Sequence, residues 1–289
     1  MSEKWEIDGP RVMDIGGEHE RVRALTIGMI GGHVDVVTHD DSPTARIEVH
    51  DVVGQPLKVS WDGRKVKILH VKTEGSNLWE TLKGLGKGFQ RQKAWISVSI
   101  PRDATASVST VSADAVVSGI HAPTKINTVS GEVTTDDLVG TVDVNTVSGV
   151  IEAHGLQGQL KATTVSGGIT VHDSSLDPIK LNSVSGDITL DLNNGRTTIG
   201  SNSVSGDVTV RVPVNGGYDV TVSTMSGAAI VDGRELNDGS GRRGGTLREG
   251  NGALSLKATS VSGDVVILSA PQDSPAPQDE PQDTPEGSV

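Results

Sequence analysis

The chain has 289 residues and a formal net charge of −12, and it contains no cysteine. The negative balance excludes a general nucleic-acid binder, because phosphate contacts need clustered Lys and Arg. Without cysteine there are no disulfides, thiolate chemistry or cysteine zinc sites. Aromatic residues are only 2% (Trp5, Trp61, Trp79, Trp95, Phe89 and Tyr218), so the expected core is narrow and filled with Val, Ile, Leu, Ala and Thr.

Residues 1–21 form an N-terminal lead-in. Residues 1–12 carry Glu3, Lys4, Glu6, Asp8 and Arg11 with no apolar run, unlike a secretory signal. No stretch approaches about 18 uncharged apolar residues, so no membrane-spanning helix is expected. The expected compartment is the cytoplasm, with peripheral contact at the inner membrane face as an extension of that reading. Residues 22–102 are read as degenerate first coils or a cap, with strand-like runs at 24–27, 33–37, 45–49, 57–61 and 66–69. Asp62-Gly63 suits a hairpin turn.

Within that region, residues 76–93 stand apart. Leu78, Leu82, Leu85 and Phe89 recur at about 100° per residue, the helical angle, with Lys83, Lys87 and Arg91 opposite and Trp79 beside the stripe. Gly84, Gly86 and Gly88 weaken a helix by about 1 kcal/mol each relative to Ala. Two readings stand: an amphipathic insertion docked on the fold, or a membrane or partner contact made by Leu78, Trp79, Leu82, Lys83, Leu85, Lys87, Phe89 and Arg91.

Residues 103–270 repeat. A V-S-G corner recurs at Val111 (followed by Ser112-Ala113), Val129, Val147, Val165, Val184, Val204, Met225 and Val261, at intervals of 18, 18, 18, 19, 20, 21 and 36 residues. Apolar residues sit five and three positions before the corner Val (Val142 and Val144, Ile179 and Leu181). Others sit four and six positions after it (Ile169 and Val171, Ile188 and Leu190). Each set has the strand period of two, but the parity changes between them, so the chain bends at Ser-Gly. A third short segment, including Val139 or Leu156, closes each coil. The expected fold is all-β: a single-stack β-solenoid with V-S-G corners and a period of about 18–21 residues, the last interval counting as two coils plus a Gly-rich loop. Asn127, Asn145, Asn182 and Asn202 then align in one column and Thr128, Thr146 and Thr164 in the next, as ladders that hydrogen-bond up the stack. Residues 232–252 read as an exposed loop, and residues 271–289 as a disordered acidic Pro-rich tail.

Few residues suggest chemistry. Asp136, His154, His172, Asp191 and Arg211 fall seven positions after successive corners. Such a column could hold a metal, but metals want converging ligands, and a surface polar ladder is the plainer reading. Asp187 and Asp207 share a phase on adjacent coils, as a carboxylate pair for glycoside hydrolysis or as ordinary turn residues. Gly-x-Ser-x-Gly is absent. No catalytic, cofactor-binding or metal-binding residue is assigned.

The lead-in Ile96-Ser97-Val98-Ser99-Ile100-Pro101 and strings such as Asn145-Thr146-Val147-Ser148-Gly149 and Ser183-Val184-Ser185-Gly186-Asp187-Ile188 resemble the bacterial putative-adhesin β-strand-repeat family, the toastrack domains, over about residues 57–268. Ala113 and the long final interval depart from the pattern. The resemblance implies a β-solenoid, bacterial origin and association with envelope-stress or membrane-linked regulatory proteins, and it supplies no catalytic residues. The expected function is a non-enzymatic scaffold or interaction module, with an unidentified protein partner, peripheral membrane contact or self-association, and no nucleic acid. A surface adhesin for carbohydrate or protein and a polysaccharide-active β-helix enzyme are the alternatives.

Overall fold

The computed structural model describes residues 3–70, 92–213, 217–236 and 243–270, and these form strands and turns with no helix among them. Alternation of buried and outward residues, as in Ile188–Leu192 and Val208–Pro213, makes each strand one wall of a thin core. The strands pair in parallel with the offset of the repeat. Val142 pairs with Leu160 and Ile151 with Ile169, 18 residues apart; Leu160 pairs with Ile179, and Ile179 with Ile199, as the interval lengthens. Each rung thus has one side before the V-S-G corner and another after it. A third, short side is tied between rungs by Val139 N–H to Ile120 O, Gln157 N–H to Leu138 O and Ser175 N–H to Leu156 O, each 2.8 Å.

The turn into that third side is a second bend. Gly119, Asp137, Gly155, Asp173 and Asp232 all have left-handed backbone there, with φ between 47° and 75°. Gly, or Asp where a side chain is retained, tolerates this conformation. The core between the sides is aliphatic, as the composition predicts. The buried aromatic residues Trp61 and Tyr218 lie near opposite ends of the stack.

The corners are stacked. Backbone N–H groups of Ser130, Ser148, Ser166, Ser185 and Ser205 donate to the carbonyls of Val111, Val129, Val147, Val165 and Val184 at 2.7–2.9 Å. The order then leaves the chain order. Ser262 bonds to Val204, and Ser226 bonds to Val261. Leu254–Ser260 lies between Thr197–Asn202 and Gly217–Thr224, pairing in parallel with both. The expectation of a single stack wound in sequence order, with two coils in the last interval, is therefore corrected. The 36-residue interval holds an antiparallel excursion, Arg234–Glu235 and Arg243–Gly250, which covers the outermost rung before the chain returns to insert beneath it. The apolar pattern explains the exchange. Leu254, Leu256 and Ala258 suit an interior rung, whereas Arg243–Gly250 is mostly exposed and suits an edge.

The other end mirrors this. Ala24–His39 lies between Thr105–Ser118 and a further rung made of Lys65–Leu69 and Lys93–Pro101. Antiparallel strands then extend outward on each side: Leu57–Trp61 and Glu3–Ile7 on one, Ala45–Val53 and Arg11–Ile15 on the other. Gly28 and Gly32 are four residues apart, but their partners Leu69 and Ala94 are twenty-five apart.

Glycine at the corner is a matter of space. A Cβ at Gly149, Gly167, Gly186, Gly206 or Gly263 would stand 1.7–2.2 Å from the carbonyl oxygen of the glycine one rung below. Ala113 is tolerated because Thr105–Ser118 runs through its corner as a continuous strand. Adjacent glycines provide a sharp comparison. Gly167→Ala puts its Cβ 1.7 Å from Gly149 O, while at Gly168 the nearest atom is 3.8 Å away. In urea denaturation Gly167→Ala should lose about 3 kcal/mol or more, and Gly168→Ala less than about 1 kcal/mol. Equal stability of the two variants would contradict the stacked corner.

Candidate functional site

The corner is assembled from three side chains with separate tasks. The residue before the corner Val (Thr146, Thr164, Ser183, Ser203, Thr224, Ser260) is buried. Its hydroxyl accepts the N–H of the corner Gly three residues on, at 2.8–3.0 Å in all six. In Thr146, Thr164, Ser183 and Ser203 it also donates to that glycine's carbonyl. These hydroxyls were expected to bond up the stack. Thr110 does so, to Thr128 at 2.9 Å, at the corner where Ala113 replaces Gly, and Thr224 donates across to the Gly263 carbonyl of the neighbouring rung at 3.5 Å. Elsewhere the inward-turned hydroxyl meets a buried N–H that needs an acceptor. The Asn ladder does run between rungs: Asn145 Nδ2 donates to Asn127 Oδ1 at 3.2 Å, and Asn202 Nδ2 to Asn182 Oδ1 at 3.1 Å.

The corner Ser faces outward and donates Oγ–H to the Val carbonyl of the neighbouring rung, as Ser148 does to Val129 and Ser185 to Val165, both at 3.1 Å. The Asp after the corner also serves the backbone. Asp187 accepts from Asp207 N–H at 3.0 Å, Asp207 from Asp264 N–H at 2.8 Å and Asp264 from Ala228 N–H at 2.7 Å. Asp187 and Asp207 thus act as turn residues that tie one rung to the next.

What the corners leave in solvent is the Val itself. Strand parity puts positions −5, −3 and −1 inward, so the corner residue points out. Val165, Val184, Val204 and Val261 are 42–47% exposed and Met225 is 79% exposed. Stacked in order, they form an aliphatic ridge along the molecule. Beside it, between the Asn and Val columns, runs a groove of about 460 Å³ lined by Lys125, Asn127, Asn145, Val147, Thr163 and Val165. The sequence reading used these Val residues only as markers of the repeat. The parity of the preceding strand was the signal that they face outward.

The column seven residues after the corners is a run of pairs. His154 Nδ1 lies 2.9 Å from Asp136 Oδ1, and its Nε2 lies 3.2 Å from Asp173 Oδ2. Arg211 pairs with Asp191 through Nε, at 2.8 Å, and through Nη2. His172 is exposed beside His154 in register. Both ring nitrogens of His154 face carboxylates, the polar-ladder arrangement. Asp173 occupies the second bend, which the sequence reading missed; the recurrence of Gly or Asp eight residues after the corner (Gly119, Asp137, Gly155, Asp173) was its signal.

Leu78, Trp79, Leu82, Lys83, Leu85, Lys87, Phe89 and Arg91 lie outside the described residues. The flanking residues His70 and Gln92 are buried, and His70 Nε2 lies 2.8 Å from Gln55 O. Burial holds the His70 imidazole below its ordinary pKa.

Two measurements test this corner chemistry. Thr164→Val leaves the Gly167 N–H unsatisfied and should lower stability by about 1–3 kcal/mol, with Thr164→Ser keeping most of it; a Thr164→Val protein as stable as the parent would remove the role given to the hydroxyl. The Asp136 hydrogen bond, more than Asp173, raises the His154 pKa above its ordinary value. The folded state therefore holds this proton more tightly than the unfolded chain. The contribution to stability is fully present below the unfolded value of about 6.5 and fades as pH rises through the raised folded value. NMR titration should place the His154 midpoint above 6.5, and Asp136→Asn should lower it; an unchanged midpoint would deny the pairing.

No curated protein matches the chain. Among solved structures it is similar in fold to a "Putative lipid binding protein" from Parabacteroides distasonis ATCC 8503, at 15% identity over 91% of this chain and 99% of that one, with a TM-score of 0.52. A "putative adhesin" from the same organism matches at 15% identity over 90% and 98% of the two chains, with a TM-score of 0.44. The Toastrack DUF4097 family model matches residues 33–268, the span that contains all the stacked V-S-G corners, and the chain belongs to that family.

Proposed function

We propose that the protein is a non-enzymatic β-solenoid scaffold and interaction module that binds through its lateral surface, in the cytoplasm at the inner membrane face, in a bacterial envelope-stress or membrane-linked setting. One observation carries this reading: the corner hydroxyls and carboxylates are engaged by the fold's own backbone, and the side chain left to solvent at each corner is aliphatic. A hydrolase needs a nucleophile or acid–base pair free to meet substrate. A binding module needs contiguous apolar surface framed by polar groups, which the ridge and its groove supply.

In this reading the basic amphipathic stretch at 76–93 is the membrane or partner contact. Its four apolar positions would face lipid or protein, and Lys83, Lys87 and Arg91 would face anionic headgroups. The described strands on either side of this stretch, Lys65–Leu69 and Lys93–Pro101, both pair with Ala24–His39. The description of one fold neighbour as lipid binding agrees with such a contact.

The test is vesicle flotation and affinity capture with the intact chain and with residues 76–91 deleted, which spares the buried Gln92 and the strand Lys93–Pro101. The intact chain should float with phosphatidylglycerol-containing vesicles and not with phosphatidylcholine alone. Salt at about 1 M, where the Debye length is about 3 Å, should release it. The deletion should abolish flotation while the chain stays folded by circular dichroism, since Gln92 and the strand Lys93–Pro101 are retained. If neither flotation nor the captured partners change on deletion, the role assigned to this stretch is wrong.

A further inference from the structure

The geometry points to the corner ridge as a self-association surface, on which a second copy of this chain packs ridge to ridge and parallel, about a two-fold axis running along the stack. This inference rests on the reading of the protein as an interaction module and names one partner for it.

The ridge is continuous across the stacked corners Val111, Val129, Val147, Val165, Val184, Val204, Val261 and Met225, because the Ser-to-Val backbone bonds connect these corners in that order. Its apolar surface is exposed at every rung from Val165 onward. Its polar neighbours are inexpensive to dehydrate. The Ser hydroxyls already donate to Val carbonyls, and the Asn amides of residues 145 and 202 already donate along their ladder.

Charge selects the partner and its orientation. Four residues before the corner stand Lys125, Lys161, Lys180 and Lys257, all exposed on one flank of the ridge; Asp143 falls in the same column and pairs with Lys125 at 3.7 Å, so the basic character is carried by Lys161, Lys180 and Lys257. Three residues after the corner stand Glu132, Asp187, Asp207 and Asp264, all exposed on the other flank. In two rungs both charges occur together without a same-flank ion pair among the described residues: Lys180 with Asp187, and Lys257 with Asp264. The ridge therefore separates a basic band from an acidic one. A two-fold axis along the stack sets each rung against its own equivalent and exchanges left for right, so the basic band of one copy meets the acidic band of the other. A two-fold axis perpendicular to the stack and lying in the interface sets Lys on Lys and Asp on Asp, which opposes association. Only the parallel arrangement satisfies ridge and flanks together, and it is isologous and closed. Stacking end to end is disfavoured, because antiparallel strands with exposed charged residues cover the parallel rungs at both ends.

The absence of cysteine makes the test clean. Single variants Val147→Cys, Val184→Cys and Val261→Cys, oxidised mildly without denaturant, should each form a covalent dimer with themselves. Val184→Glu combined with Val204→Glu should halve the mass seen by light scattering while the chain keeps its β-sheet circular dichroism, since both side chains are nearly half exposed. Lys180→Glu should weaken the dimer at least several-fold in sedimentation equilibrium. Cross-linking at only one of the three cysteine positions would mean crossed copies, and a monomeric parent chain would mean no such surface; either result overturns the inference. A monomer that still floats on anionic vesicles removes the dimer and leaves the interaction-module reading standing. A dimer that does not float on them and captures no partner has the opposite effect.

Discussion

The close approach of backbone to backbone at each V-S-G corner is the constraint on which the rest of this structure depends. With rungs spaced at about 4.8 Å, a carbonyl of one rung occupies the place where a side chain of the next would begin. Gly167 sits over Gly149 in this way, and Gly186 over Gly167. The buried glycine N–H then needs an acceptor, and the hydroxyl three residues earlier reaches it. That hydroxyl must point inward, so the next residue along the strand points outward. The Val ridge thus follows from the way the corner is closed, and surface and fold are two consequences of one local geometry.

The ends of the stack obey a different constraint. A parallel rung exposes unpaired backbone groups on its outer edge, a template for unwanted pairing. Both ends of this chain meet the problem in the same way. The sequence-terminal rung is buried one place inward, and the outermost rung is covered by antiparallel strands with charged residues turned to solvent. Leu254–Ser260 and Ala24–His39 each gain a partner on both sides by this exchange. The stack is left with lateral faces as its accessible surface.

Much of this was legible in the residues. The repeat interval reappears as the register offset between rungs, and the parity change at Ser-Gly reappears as the bend. The Asn ladder also follows from column alignment alone. Three features were harder to read. A repeat shows which segments are equivalent but not which are neighbours, so the insertion of Leu254–Ser260 between two earlier rungs could not be read from spacing. The second bend alternates Gly with Asp, and Asp137 and Asp173 look like ordinary polar residues until their left-handed backbone is seen. The corner Val is apolar in composition but outward by parity, and the parity of the preceding strand is a weaker signal than its hydrophobicity.

Rung order is the claim most directly open to measurement. Cysteines introduced pairwise at the outward corner serines can be spin-labelled and their separations read by pulsed electron–electron double resonance. Counting rungs at about 4.8 Å each, Ser148 should lie about 19 Å from Ser262 and about 24 Å from Ser226, backbone to backbone, with the label offset common to both pairs. The account predicts that the Ser148–Ser262 distance is the shorter, although Ser262 is farther along the chain. A shorter distance to Ser226, or separations that do not grow by a constant step from Ser166 to Ser185 to Ser205, would contradict it.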